Sequence, residues 1–170
     1  SGGGHPNVHM TCHQRGRPLW NEAVAAFVPG KDGPPGLTVA GAANGDFSTA
    51  AALKAGSTQA AAALRDLGLK ARAVSMPRAE ETQGSQSPFW YVKSGKGRAW
   101  LDQQNDVTVK DVKLAHQEGF RSVEHLKRYT TLGMATDQGK TTNVLGLAIM
   151  AAASDTTIPE TATTALRPPL

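Results

Sequence analysis

The stretch Thr49–Asp66 leaves the chain little choice of conformation. Eight of its eighteen residues are alanine, the best helix former, and it holds no proline and only two β-branched residues. Ser48 stands where an N-cap belongs, and Gly68 where a left-handed C-terminal glycine belongs. Just upstream, Leu37-Thr-Val-Ala-Gly41 is apolar on both faces, like a strand buried in a parallel sheet, and Ala42-Ala-Asn-Gly-Asp-Phe47 makes a turn. Strand, glycine-bearing turn and helix, in that order, form the corner used by dinucleotide-binding folds.

Such a helix must lie on something, and this chain has little to offer. Leu, Ile, Val and Phe together number 31 of 170 residues, against 44 for Ala and Gly. At roughly 25 cal/mol per Å² of apolar surface buried, that composition builds a thin core. A net charge of +4 is too small to force disorder. The chain is therefore expected to lean on further structure, as a segment of a longer polypeptide does. The Ser-Gly-Gly-Gly opening suits an excised or processed start, and the Thr/Pro-rich residues 156–170 read as a linker cut short.

Several functional classes fall away. The single cysteine, Cys12, forms no internal disulfide and holds no iron–sulfur cluster alone. The longest apolar run, 144–153, is far short of a membrane span, and no secretory signal opens the chain. A reducing, cytoplasmic setting is the expectation. The pI of 9.4 invites a nucleic-acid reading. However, Lys and Arg are scattered in runs no longer than two, and stacking rings are few. Arg121, Lys127 and Arg128, around one short helix, are the nearest thing to a basic patch.

Four stretches follow from the pattern. Residues 1–73 hold the strand–turn–helix corner. Residues 74–101 combine a Pro/Ser/Gln-rich linker with an expected hairpin, in which 89–92 and 98–101 flank Ser94-Gly-Lys-Gly97. Residues 102–154 read as a small helical domain. There, Thr108 and Asp111 form a capping-box variant, Val109, Val112 and Ala115 share a face, and Gly119 ends the helix. Ser122 caps a second helix, 123–131, with Val123 and Leu126 inward, and a third runs over 141–153. Residues 155–170 are the linker.

Candidate chemistry is sparse. His5, His9, Cys12 and His13 have metal-like spacing, but Pro6 and the preceding glycines disfavour the helix that would align them, so no metal site is assigned. Cys12 beside His9 and His13 reads better as an inert thiol than as a nucleophile. The turn at Gly41, Ala42, Ala43, Asn44, Gly45 and Asp46 lacks the G-x-G-x-x-G pattern, yet amides ahead of a helix favour phosphate. The loop after Arg128 is polar and glycine-punctuated. Its Thr130, Thr131, Gly133, Met134, Ala135, Thr136, Asp137, Gln138, Gly139 and Lys140 suit an anion or a partner's edge. No nucleophile–base pair stands out, so no catalytic residue is assigned.

The wording of these stretches carries a resemblance. Residues 106–140 form an almost continuous likeness, with Glu124-His-Leu-Lys-Arg-Tyr-Thr-Thr131 and Gly133-Met-Ala-Thr-Asp-Gln-Gly-Lys140 at its heart. Together with Asn7-Val-His-Met-Thr-Cys-His-Gln-Arg-Gly-Arg-Pro-Leu-Trp-Asn21 and Val39-Ala-Gly-Ala-Ala-Asn-Gly45, they resemble the α subunit of heterotetrameric sarcosine oxidase. That resemblance implies an α/β plus α fold. The end of a disulfide-reductase-like dinucleotide-binding domain would precede a helical domain similar to cluster-binding domains but without their cysteines, and a folate-binding domain would follow. It implies NAD near 41–46, and FAD, FMN and tetrahydrofolate in the whole enzyme. The partners implied are a flavin-bearing β subunit and small γ and δ subunits, with no nucleic acid and no membrane, and Arg128 with the 130–140 loop would contact the β subunit or the interfacial flavin. The alternatives are a related opine or dimethylglycine oxidase or dehydrogenase subunit, and a stand-alone module binding protein or nucleic acid. Two positions depart from the family pattern. Ala42 stands where flavin-binding relatives place an acidic residue, and Gln103 where an apolar residue is expected.

Overall fold

A computed structural model of the chain describes residues 5–72, 74–81 and 87–162. The Ser-Gly-Gly-Gly opening, the middle of the expected linker and residues 163–170 of the expected tail lie outside them. The chain divides into two compact units, Gly4–Ser87 and Pro88–Leu170.

The first unit begins with an irregular 3-10 segment, His9–Arg15, broken by the extended ψ of His13 and the left-handed φ of Gln14. That break ends any helical alignment of His5, His9 and His13. A hairpin follows, with β1 (Leu19–Asn21) antiparallel to β2 (Ala26–Val28) and Trp20 opposite Phe27. The two rings meet edge to face with centroids 5.1 Å apart, and Val8, Ala26 and Phe27 are buried, as are Pro6 and Pro18. Helix α1 (Thr49–Asp66) has the predicted bounds. Ser48 Oγ accepts the Ala51 amide at 3.1 Å. Gly68 N–H donates to the Arg65 carbonyl and Leu69 N–H to the Leu64 carbonyl, a Schellman ending made possible by the +71° φ of Gly68.

Residues 37–40 form no strand and pair with no described strand, and Leu37 is 38% exposed. A strand apolar on both faces needs neighbours on both sides, and among the described residues the first unit's sheet has only β1 and β2.

The second unit is a helical cluster with a small β-ribbon. β3 (Trp100–Asp102) pairs with β4 (Val107–Thr108), whereas the sequence pattern predicts a hairpin with residues 89–92. The reason is local. Asp102 Oδ1 accepts the amides of Gln104 (2.9 Å) and Asn105 (3.2 Å), folding the chain straight back, while the upstream connection is glycine-rich and entropically costly to order. Gln103 is exposed in that turn, which explains a polar residue there.

Helix α2 (Val109–Gln117) starts at the expected capping box, where the Thr108 amide and hydroxyl both donate to Asp111 Oδ2, at 2.7 and 2.6 Å. Its Val109, Val112 and Ala115 are buried, and it ends in a second Schellman motif at Gly119. Helix α3 (Val123–Thr130) buries Val123 and Leu126. Helix α4 (Asn143–Ser154) buries eight of its twelve residues. The short α5 (Ile158–Thr161), capped by Thr157 and Glu160, occupies part of the stretch that reads as linker. α2 packs on both α3 and α4, and α5 on α4.

Candidate functional site

The sequence singles out two places, one in each unit. In the first, Ala40 is extended, Gly41 takes a φ of +71°, and Gly41–Asn44 form a 3-10 turn closed by Gly45 at +90°. The Gly45 amide donates to the Ala42 carbonyl and the Asp46 amide to the Gly41 carbonyl, both at 3.1 Å. Two of the amides expected to face a phosphate are thus engaged within the turn, and Phe47 and Ser48 separate it from α1. The left-handed φ accounts for both glycines, and close packing adds to it at Gly45. A Cβ on Gly45 would lie 3.1 Å from Val28 Cγ1, and one on Gly41 3.5 Å from Ala52 Cβ. Of the six turn residues, Asn44 reaches a cavity of about 300 Å³, shared with Lys31, Thr11 and Gly30.

The second place is more elaborately built. Glu124, Lys127 and Arg128, at i, i+3 and i+4 on α3, line one wall of a cavity of about 500 Å³. Gly133, Met134, Gln138 and Asn143 line the rest. The loop between α3 and α4 is tied down at several points. Leu132, fully buried, occupies the space a side chain on Gly146 would need. Asp102 Oδ2 accepts the Gly133 amide at 2.9 Å, and Asn105 Nδ2 donates to the Thr131 carbonyl at 2.8 Å. The Asn143 carboxamide sits between Gly133 (φ +68°) and Gly139 (φ +77°), so close that a Cβ on either glycine would collide with it. Asn143 is only 4% exposed, and its Oδ1, like Thr142 Oγ1, has no hydrogen-bond partner.

Loop side chains divide into two kinds. Thr130 Oγ1 donates to the Leu126 carbonyl at 2.8 Å, and the Gln138 carboxamide donates to the Ala135 carbonyl at 3.1 Å. Asp137 accepts the amides of Gly139 (3.0 Å) and Thr141 (3.1 Å) and the Thr141 hydroxyl. Burial pushes the Asp137 carboxyl up, but these hydrogen bonds and the Lys140 charge outweigh it and hold it below its usual value. Asp137 therefore shapes the loop from inside. Arg128, Thr131, Met134 and Thr136 are exposed, with Met134 59% so. Of the residues named from sequence, Arg128, Gly133, Met134 and Gln138 meet at the cavity. Thr130, Thr131, Ala135, Thr136, Asp137, Gly139 and Lys140 do not line it.

Elsewhere, Cys12 is half-buried, and its thiol donates to the Val8 carbonyl. Burial raises its pKa, as expected for an inert thiol. Among the described residues no three His, Cys, Asp or Glu side chains converge, and no helix is long and apolar enough to cross a membrane.

Residues 96–170, which contain the second cavity and its loop, match the sarcosine oxidase A3 domain. Over 99% of its length the chain is 43% identical to the sarcosine oxidase subunit alpha of Rhizobium meliloti, and 37% identical to that of Corynebacterium sp. strain P-1. The chain is similar, over nearly all of its length, to one segment of these α subunits. It spans 17% and 18% of the length of these two relatives, each named as one subunit of an enzyme.

Three residues that shape the second cavity carry little signal in the sequence. Asp102, 1% exposed, stands at the boundary between the expected hairpin and the helical stretch. Its one signal is Asp-x-x-Asn at the end of an apolar strand, which marks an Asx turn. Asn143 falls inside an expected helix, and polarity there gives no hint that it fills a loop. Glu124, on the outer face of α3, has the look of a solvated charge.

Proposed function

We propose that this chain is a cofactor-holding, subunit-interface segment of a sarcosine oxidase α subunit. The whole enzyme would oxidatively demethylate sarcosine to glycine, yielding hydrogen peroxide and either formaldehyde or methylenetetrahydrofolate. No catalytic role is assigned to the segment itself. It supports a reaction that runs at flavins held with the β subunit. The observation that carries this reading is the 130–140 loop, folded in advance on a cavity within the stretch that matches the A3 domain. Exposed Met134 and Arg128 stand ready at its rim, above a loop pinned from beneath by Asp102, Leu132 and Asn143.

The residues at the cavity fit a flavin edge. Arg128 and the Gln138 carboxamide offer polar partners for ring carbonyls and nitrogens, beside the thioether of Met134. A bound flavin would supply electron transfer, and these side chains would orient it and limit water. The turn at 41–46 is the proposed NAD contact, in what would be the end of a dinucleotide-binding domain. Its cavity, about 300 Å³, lies at the low end for ligand sites and suits one ribose–phosphate portion, beside Asn44 and Lys31.

The test uses the full-length subunit co-expressed with its partners. Met134→Glu is expected to weaken retention of the β subunit at least about tenfold and to bleach the purified complex, with the thermal midpoint of the α subunit unchanged. An intact, yellow complex would refute the interface. Asn44→Leu is the companion for NAD and should lower the NAD recovered from the complex. It is a cleaner probe than a substitution at Gly45, whose +90° φ and Val28 contact would damage the fold regardless.

A further inference from the structure

We infer that Asp102, which lies outside the lining of the cavity, is the positioning residue for the loop that forms its wall. The inference rests on the proposed role of that loop as a contact surface. Asp102 is 1% exposed, a costly place for a carboxylate, and both its oxygens are committed to backbone amides. Oδ1 takes Gln104 and Asn105 in its own turn, and Oδ2 takes Gly133, thirty-one residues downstream. Asn105, held by that same turn, reaches the Thr131 carbonyl. One side chain therefore gathers the β3–β4 turn and fixes the loop on either side of Leu132.

What is fixed matters for the cavity. Gly133 is in its wall, and Met134, the most exposed large apolar residue of the loop, follows directly. Beyond them the chain closes around Asn143, so the path from Gly133 to Gly139 has little freedom once Gly133 is placed. A hydrogen bond to a charged acceptor is about twice as strong as a neutral one, and it is directional. If β3 needed only burial at this position, an apolar side chain would serve at lower cost. The carboxylate is required because three N–H donors converge on it.

Asp102→Asn in the full-length, assembled enzyme separates this role from a general one. The isostere keeps the shape but has one acceptor oxygen, so its NH₂ must confront either the turn amides or Gly133. Hydrogen exchange over residues 131–142 should accelerate at least about tenfold while exchange in α4 stays unchanged. Affinity for the flavin-bearing subunit should fall by a similar factor, with little change in thermal midpoint. Asn105→Ala, at a less buried site, should give a smaller acceleration confined to the start of the loop, and it guards against failure of the first variant to fold. Unchanged loop exchange in both variants, or equal acceleration in loop and α4, would overturn the positioning role. Faster loop exchange with full partner affinity would uphold the positioning of the loop and sink the interface reading on which its purpose rests.

Discussion

Helices α1 and α4 are both rich in alanine, yet they are held in place by opposite means. α1 runs eighteen residues, about 27 Å, without burying one of them. It relies on alanine propensity, a serine cap at one end and a Schellman glycine at the other. α4 is shorter and buries Val144, Leu147, Ile149 and Met150 together with its small residues. The units around them differ likewise. Leaving proline and glycine aside, three apolar residues are buried among the described residues of the first unit, against fourteen in the second. Alanine thus does two jobs. In α1 it stiffens a helix that buries none of its residues, and in α4 it lets neighbours approach closely.

Truncating large side chains should break the symmetry most sharply. Leu147→Ala, in α4, is expected to cost about 2–5 kcal/mol, whereas Leu53→Ala, in α1, should cost less than about 1 kcal/mol. Denaturant melts of the chain read by hydrogen exchange, helix by helix, measure both. Equal costs would mean that α1 is packed in solution against something that burial in this chain does not reveal.

Glycine substitutions sharpen the contrast, because the sign should reverse. A Cβ on Gly146 would overlap Leu132, so Gly146→Ala is expected to destabilise by about 1–3 kcal/mol despite alanine's better propensity. At Gly56 an added methyl would meet nothing within 4 Å, and Gly56→Ala should stabilise by about 0.5–1 kcal/mol. The same exchange-resolved melts decide it. Stabilisation at both positions would show that Leu132 moves aside freely.

Acid should act most gently, and in the second unit it acts through carboxyl groups. The Thr108 hydroxyl, ahead of the other contributions, holds the Asp111 carboxyl below its usual value, and Asp137 is lowered as well. A carboxyl lowered in the folded state binds protons more readily once unfolded. Its contribution is therefore complete above about pH 4 and is lost as pH falls through the lowered value. Thermal midpoints taken from about pH 6 down to about pH 3 should decline in that window, and less steeply in Asp111→Asn. An unaltered slope in the variant would remove the α2 cap from the account.

Much of this is legible in the sequence wherever a short-range rule is enough. The bounds of α1, the capping box at Thr108 and Asp111, and the inward faces of α2 and α3 follow from spacing and end residues alone. The β1–β2 hairpin does not, because Glu22-Ala-Val-Ala25 has no glycine or Asn-Gly signal and turns through a left-handed Ala25 instead. The segment 37–40 reads as a buried strand from its apolar composition, yet among the described residues it pairs with no strand. At the candidate site, the polar character of 130–140 is visible, but which side chains turn inward is not. Asp137 and Asn143 are as polar as Thr136 and differ from it only through contacts closed in three dimensions.

The grip of Asp102 also bears on which sequences this ribbon can tolerate. Each group it holds is a main-chain amide, which every residue but proline carries. Position 104 is therefore open to almost any side chain, since only its N–H is read. Gly133 is held to glycine by its φ and by Asn143, not by Asp102. The ribbon can thus change its surface freely, and with it whatever it touches, without loosening the loop it holds.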